Sequence, residues 1–145
     1  MVNDVGSFRY GTQQSQSISP QFAQGVRYDC VLKNKELTVN SISHAATGTT
    51  LTTMAQYSLY IFARNNWGNA GNLSKSRFYN FSISTGGVIV RNFVPVRFTN
   101  EQGVSEGAMY DRANPTGGMN PDGSARTDGL YRNRGTGAFL YGNDI

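Results

Sequence analysis

The sequence predicts an all-β chain folded as an antiparallel β-sandwich. Three observations carry this expectation. Apolar residues recur at every second position in residues 26–32, 57–64, 78–84 and 88–98, the period of a strand whose two faces differ. Turn-forming residues stand between these runs, as Asn34-Lys35 and Thr85-Gly86-Gly87, and a tight hairpin needs residues that accept positive φ. No segment keeps a helical period beyond about two turns. With 145 residues the chain is expected to form one domain, residues 1–145, that buries roughly two-thirds of its unfolded surface. Residues 1–20 read as a leading segment and residues 112–129 as a long surface loop.

Taken in order, Phe8-Arg9-Tyr10 is a fragment of strand, and the Gln/Ser-rich residues 12–19 are loop. A hairpin follows. Val26, Tyr28, Cys30 and Leu32 alternate with Arg27, Asp29 and Lys33, the chain turns at Asn34-Lys35, and Leu37 and Val39 continue the pattern. Residues 43–53 are small and Thr-rich, a connection carrying one short β-branched strand. Residues 57–64 read as a strand covered on both faces, with Leu59 and Ile61 on one side and Tyr60 and Phe62 on the other. Residues 65–76 form a loop rich in Asn and Gly around Trp67. The chain returns through Tyr79, Phe81 and Ile83, turns at Gly86-Gly87, and leaves through residues 88–98. After a short strand at residues 107–111, the loop 112–129 holds Pro115, Pro121 and four Gly, with Met119 almost its only apolar residue. Short strands at 130–132 and 138–141 close the chain. The expected core comprises Val26, Tyr28, Cys30, Leu32, Leu37, Leu59, Ile61, Tyr79, Phe81, Ile83, Val88 and Val90, which share the two-residue period.

Composition bounds the function. Thirteen Lys and Arg against nine Asp and Glu give +4, but the arginines are scattered singly, so no block resembles a nucleic-acid patch. Neither a signal peptide nor a run of the ~20 apolar residues that a membrane span needs is visible, so no membrane insertion is expected. Cys30 is the one cysteine, which excludes an intrachain disulfide, and its strand-like setting points to a small buried apolar role.

Few residues carry chemistry. His44 has no neighbouring carboxylate in sequence, so no catalytic residues are assigned. Glu101 and Glu106 are the nearest glutamate pair, in a segment that reads as turn, and solvation is their expected role. Asn120-Pro121-Asp122-Gly123-Ser124 spaces oxygens as calcium loops do. However, Ala125 stands where an EF-hand wants Gly and Tyr131 where it wants Glu. A Pro-Asp-Gly turn is the reading adopted, with no metal and no cofactor. Trp67 is different. It lies among Asn65, Asn66, Asn69 and Asn72 next to Arg64, a flat apolar plate beside amide donors and acceptors that suits stacking on a sugar ring. The ligand-binding candidates are therefore Trp67, Arg64, Asn66, Asn69 and Asn72; the competing role for Trp67 is packing over a sheet edge.

The phrases LYIFARNN, NLSKSRFYNFSI, VIVRNFVPVR, GAMYD and GTGAFLYGND, in that order, resemble a module of gut-bacterial surface proteins and of virion proteins of their phages. These modules are described as LamG-like or concanavalin A-like jelly rolls. The resemblance covers roughly residues 8–144 and implies two packed antiparallel sheets, in a family that binds glycans or builds adhesive fibres such as tail fibres. It implies a non-enzymatic, glycan-binding or adhesive role on a virion or at an extracellular or cell surface, with a surface glycan as partner. Two departures stand out: the chain lacks strands that usually precede the segment around Phe8, and the loop 112–129 is longer than the pattern expects. A jelly roll short of its leading strands exposes an edge, so a homo-oligomer or docking onto a larger virion or surface assembly is expected. A purely structural subunit making protein–protein contacts is the alternative; a glycoside hydrolase is a third reading.

Overall fold

The computed structural model describes residues 7–8, 16–17, 22–23, 25–33, 36–45, 64–66, 69–71, 77–133 and 135. Among these every regular element is a strand, in antiparallel pairs throughout. The all-β class expected from the two-residue period is therefore observed, and sheets of three and four strands are consistent with a β-sandwich. The chain divides into two compact units, residues 1–56 and 57–145.

The first unit holds a two-residue ribbon of β1 (Ser7–Phe8) and β2 (Gln16–Ser17), and a meander of β3 (Cys30–Lys33), β4 (Glu36–Val39) and β5 (Ile42–Ala45). The β3–β4 hairpin has the expected register: Lys33 faces Glu36, Leu32 faces Leu37 and Cys30 faces Val39. Opposite charges and matched apolar residues thus fall on cross-strand pairs, the unit of sheet stabilisation. Asn34 and Lys35, the expected turn, lie outside the described residues. The third strand falls partly in what reads as a connecting segment. It forms because Asn40 and Ser41 take φ of 46° and 73°, the left-handed pair that closes a two-residue hairpin. The side chain of Asn40 accepts the backbone N–H of Asp29 at 2.9 Å, while the Asn40 N–H donates to the Asp29 carbonyl at 3.0 Å. Residues 26–29 are not strand, a correction to the expected longer run, and Asp29 is tied to Asn40 by these two bonds.

The second unit holds a ribbon of β6 (Arg64–Asn66) and β7 (Asn69–Gly71), and a sheet in the order β11-β10-β9-β8. Its strands are β8 (Phe81–Thr85), β9 (Val88–Thr99), β10 (Ser105–Asp111) and β11 (Leu130–Arg132). Gly86 and Gly87 have φ of 59° and 82° and join Thr85 to Val88 as a two-residue turn, as the sequence predicts. Opposite Ile83 and Ser84 the partners step from Arg91 to Ile89, so Val90 is the extra residue of a bulge on β9. Pro95 is tolerated in this long strand because β8 pairs no further than Phe93. Its missing N–H lies on the side where, among the described residues, no strand pairs with β9.

The core is not where the sequence pattern places it. Among the described residues the buried apolar side chains are Val39, Phe93, Ala108 and Met109. Of the expected core, Leu32 is 62% and Val88 65% exposed, and Val26, Tyr79, Val90 and Cys30 are exposed too. Leu37, Phe81 and Ile83 are half-buried, and Leu59 and Ile61 lie outside the described residues. The second unit is centred on Phe93, whose ring stacks on Phe81 at 6.2 Å and meets Tyr131 edge-on at 5.1 Å. Consecutive residues Gly107, Ala108 and Met109 are all buried, so both faces of β10 are covered.

Candidate functional site

Three of the five ligand candidates, Arg64, Asn66 and Asn69, fall on the β6–β7 ribbon. Arg64 faces Gly71, Asn65 faces Ala70 and Asn66 faces Asn69. Directly opposed residues share a face, as do residues two apart along a strand, so Arg64, Asn66 and Asn69 occupy positions of one face. Trp67 and Asn72 lie outside the described residues; in sequence, Trp67 is one of the two residues between the paired strands. The segment expected to be loop is thus a hairpin at its start, as far as Gly71.

A second cluster was not legible in the sequence. The loop 112–129 folds back along β11, so that the Met119 N–H donates to the Leu130 carbonyl at 2.8 Å and the Arg132 N–H to the Met119 carbonyl at 2.9 Å. It also brings Arg126 beside Arg132. The two guanidinium carbons stand 5.9 and 5.4 Å from the centre of the Phe98 ring, within cation–π range. Arg126 grips Asp128 with two hydrogen bonds, of 3.0 and 2.6 Å, and donates to the Asn120 side chain at 2.8 Å. Arg132 donates to both oxygens of Glu106, at 2.9 Å each, and Asn100 donates to Glu106 as well. Glu101 spans the pair, 3.5 Å from Arg126 and 3.9 Å from Arg132.

The electrostatic consequence is that three carboxylates are held ionised. The Asn100 amide and then Arg132 keep Glu106 below its ordinary range. Arg126 does the same for Asp128, and Asp128 in turn raises Arg126. For Glu101 the leading cause is its own backbone amide, followed by Arg126 and Arg132. Glu106 therefore lies in β10 and in an ion-pair network, where the sequence reading has a solvated turn. A glycosidase pair needs one carboxyl kept protonated as the acid, and neither Glu101 nor Glu106 is placed to be one.

Among the described residues Asp111 is the charged side chain that is fully buried. Its side chain is 0% exposed; Oδ1 accepts the N–H of Asn92 at 2.9 Å and of Ala113 at 3.0 Å, and Oδ2 lies 3.5 Å from Arg91 Nε. It pins the start of the loop to β9. Within that loop the expected Pro-Asp-Gly turn is present: Asp122 Oδ1 accepts from the backbone and hydroxyl of Ser124, and the Gly123 N–H donates to the Asn120 carbonyl at 3.0 Å.

Cys30 faces Val39 but is exposed at the start of β3, and partial desolvation of the sulfur followed by the neighbouring Asp29 pushes its thiol pKa up. That is the opposite of a reactive thiolate. His44 lies in β5 opposite Leu37. Among the described residues no helix is long and apolar enough to cross a membrane. No protein-family model, no curated protein and no solved structure matches the chain.

Proposed function

We propose that the chain is a non-enzymatic adhesive module of a phage virion or bacterial surface protein, and that it binds a surface glycan through the β6–β7 hairpin. The register carries this reading. It sets Arg64, Asn66 and Asn69 on one face, on the two strands that flank Trp67 and Gly68 in sequence. An aromatic plate beside hydrogen-bonding groups is what a sugar ring requires, apolar contact on its C–H face and donors and acceptors at its hydroxyls. A glycan array with the purified chain tests it. Trp67→Ala should weaken binding roughly five- to a hundredfold, by analogy with bases stacked on aromatics, with the fold retained. Unchanged affinity, or an unfolded chain, would return Trp67 to a packing role.

A second reading, the purely structural subunit, is favoured by one observation. Val31, Leu32, Val88, Ile89 and Val90 are exposed apolar residues on regular strands, and surfaces of that kind mark protein contacts. In that case the array stays blank while the chain assembles.

A further inference from the structure

The four-stranded sheet treats its two edges differently. Along β11 the outer edge is capped by Met119, which exchanges backbone hydrogen bonds with Leu130 and Arg132. At the other end of the sheet stands β8, and its outward groups can be identified. Both peptide groups of Asn92 turn away from β8: its N–H donates to Asp111 Oδ1 and its carbonyl accepts from Arg112. Ser82, the partner of Asn92, therefore sits in a non-hydrogen-bonded pair, and its own N–H and C=O point to the open side. Ser84, two residues on, repeats that orientation, because the bulge adds its residue to β9 and leaves β8 regular. Among the described residues nothing pairs with these two donors and two acceptors.

Nor is the edge defended by charge. Proteins usually protect an open edge with Lys, Pro or an inward charge, but residues 80–90 contain no ionisable side chain and no Pro. The hairpin ends in Val88 and Ile89, 65% and 54% exposed. We propose that the β8 edge is a strand-addition site whose occupant is β8 of a second copy of this chain, antiparallel across a two-fold axis at Ile83. Self-complementarity argues for that occupant. With Ile83 on the axis, Ser82 faces Ser84 of the second copy and Ser84 faces its Ser82. Each of these pairs is of the kind that exchanges two backbone hydrogen bonds. No like charges meet, although each chain carries +4, because the ribbon is neutral where the copies touch. This interface is independent of glycan binding, so either proposal stands or falls alone.

The test is light scattering of the full chain over a concentration series, with backbone amide exchange read by NMR. The expected wild-type species at high concentration has twice the 15.8 kDa of the chain. On dimerisation the Ser82 and Ser84 amides should gain protection, while those of Phe81 and Ile83, already bonded to β9, should not change. Ser84→Pro removes one outward N–H without touching the β9 ladder. The double variant Ser82→Lys/Ser84→Lys sets like charges opposite each other at two exposed positions. Each should raise the dimer dissociation constant roughly tenfold or more. Should the proline variant fail to fold, the lysine variant decides. A wild-type chain that stays monomeric at millimolar concentration overturns the proposal, as does an oligomer that survives the lysine substitutions or leaves Ser82 and Ser84 exchanging freely.

Discussion

The side chain of Asp111 accepts the backbone N–H of Asn92 at 2.9 Å, and the next residue, Arg112, donates its own N–H to the Asn92 carbonyl at 2.8 Å. A buried carboxylate thus replaces one step of the ladder at the point where β10 ends and the loop begins. Asp111→Ala would strip acceptors from two backbone amides and leave Arg91 without this partner. The expected cost is about 3 kcal/mol. Asp111→Asn, which keeps an acceptor at Oδ1, should cost about half as much. Urea denaturation of the two variants checks both values, and equal losses would mean that the charge matters more than the amide contacts.

Gly103 and Gly129 both have φ of 77°, but their surroundings differ. A Cβ at Gly103 meets nothing within 4 Å, whereas at Gly129 it falls 2.5 Å from the Tyr110 ring and 3.2 Å from the Pro115 Cα. Gly103→Ala should therefore lose only the left-handed backbone penalty, about 1 kcal/mol. Gly129→Ala adds overpacking and should lose about 3 kcal/mol. Thermal or urea unfolding of the pair separates strain from crowding.

Arg132 stacks on Phe98 and binds Glu106, so its two roles can be pulled apart. Arg132→Met keeps apolar cover on the ring and removes the ion pair, with an expected loss of about 1 kcal/mol. Arg132→Ala removes both and should lose about 2 kcal/mol. Added salt should narrow the gap between wild type and the Met variant, because these groups are partly exposed and screened. A gap that salt leaves unchanged would point to packing alone.

Acid should loosen the same network. Glu106 and Asp128 have folded pKa values below their unfolded ones, through Asn100 and Arg126 respectively as the leading partners. Their contribution is complete above the unfolded values, roughly 4, and disappears as pH falls through the depressed folded values. Urea midpoints should hold steady from neutral pH down to about pH 5 and drop below about pH 4. Glu106→Gln should make that drop shallower. An identical slope in the variant would show that Glu106 is not among the groups that titrate.

Local punctuation was the most legible part of the sequence. Gly86-Gly87 closes the β8–β9 hairpin and Lys33 faces Glu36, because turn residues and alternation act over a few residues. Alternation says that two faces differ, not which of them is covered. That is why Leu32 and Val88 were expected inside while Ala108 and Met109 hold the centre. The short strand read into residues 43–53 has no sharp bounds in the sequence, because Ser43, His44 and Ala45 have weak strand character, whereas Asn40, a residue that tolerates positive φ, marks the turn that precedes β5. Asp111 and Arg132 were invisible for a different reason. A charged residue reads as surface until tertiary contacts supply its partners, and those of Arg132 come from 26 residues away at Glu106.

The tip of the loop 112–129 offers a practical handle. Asn120 and Ser124 are already clasped, backbone to backbone at 2.9 Å and side chain to side chain at 3.0 Å, while Pro121, Asp122 and Gly123 between them are exposed. A peptide spliced between Asp122 and Gly123 would start and finish at neighbouring points, so its ends need no separate closure. Epitopes or affinity tags could be displayed there while Met119 goes on capping β11 beneath them.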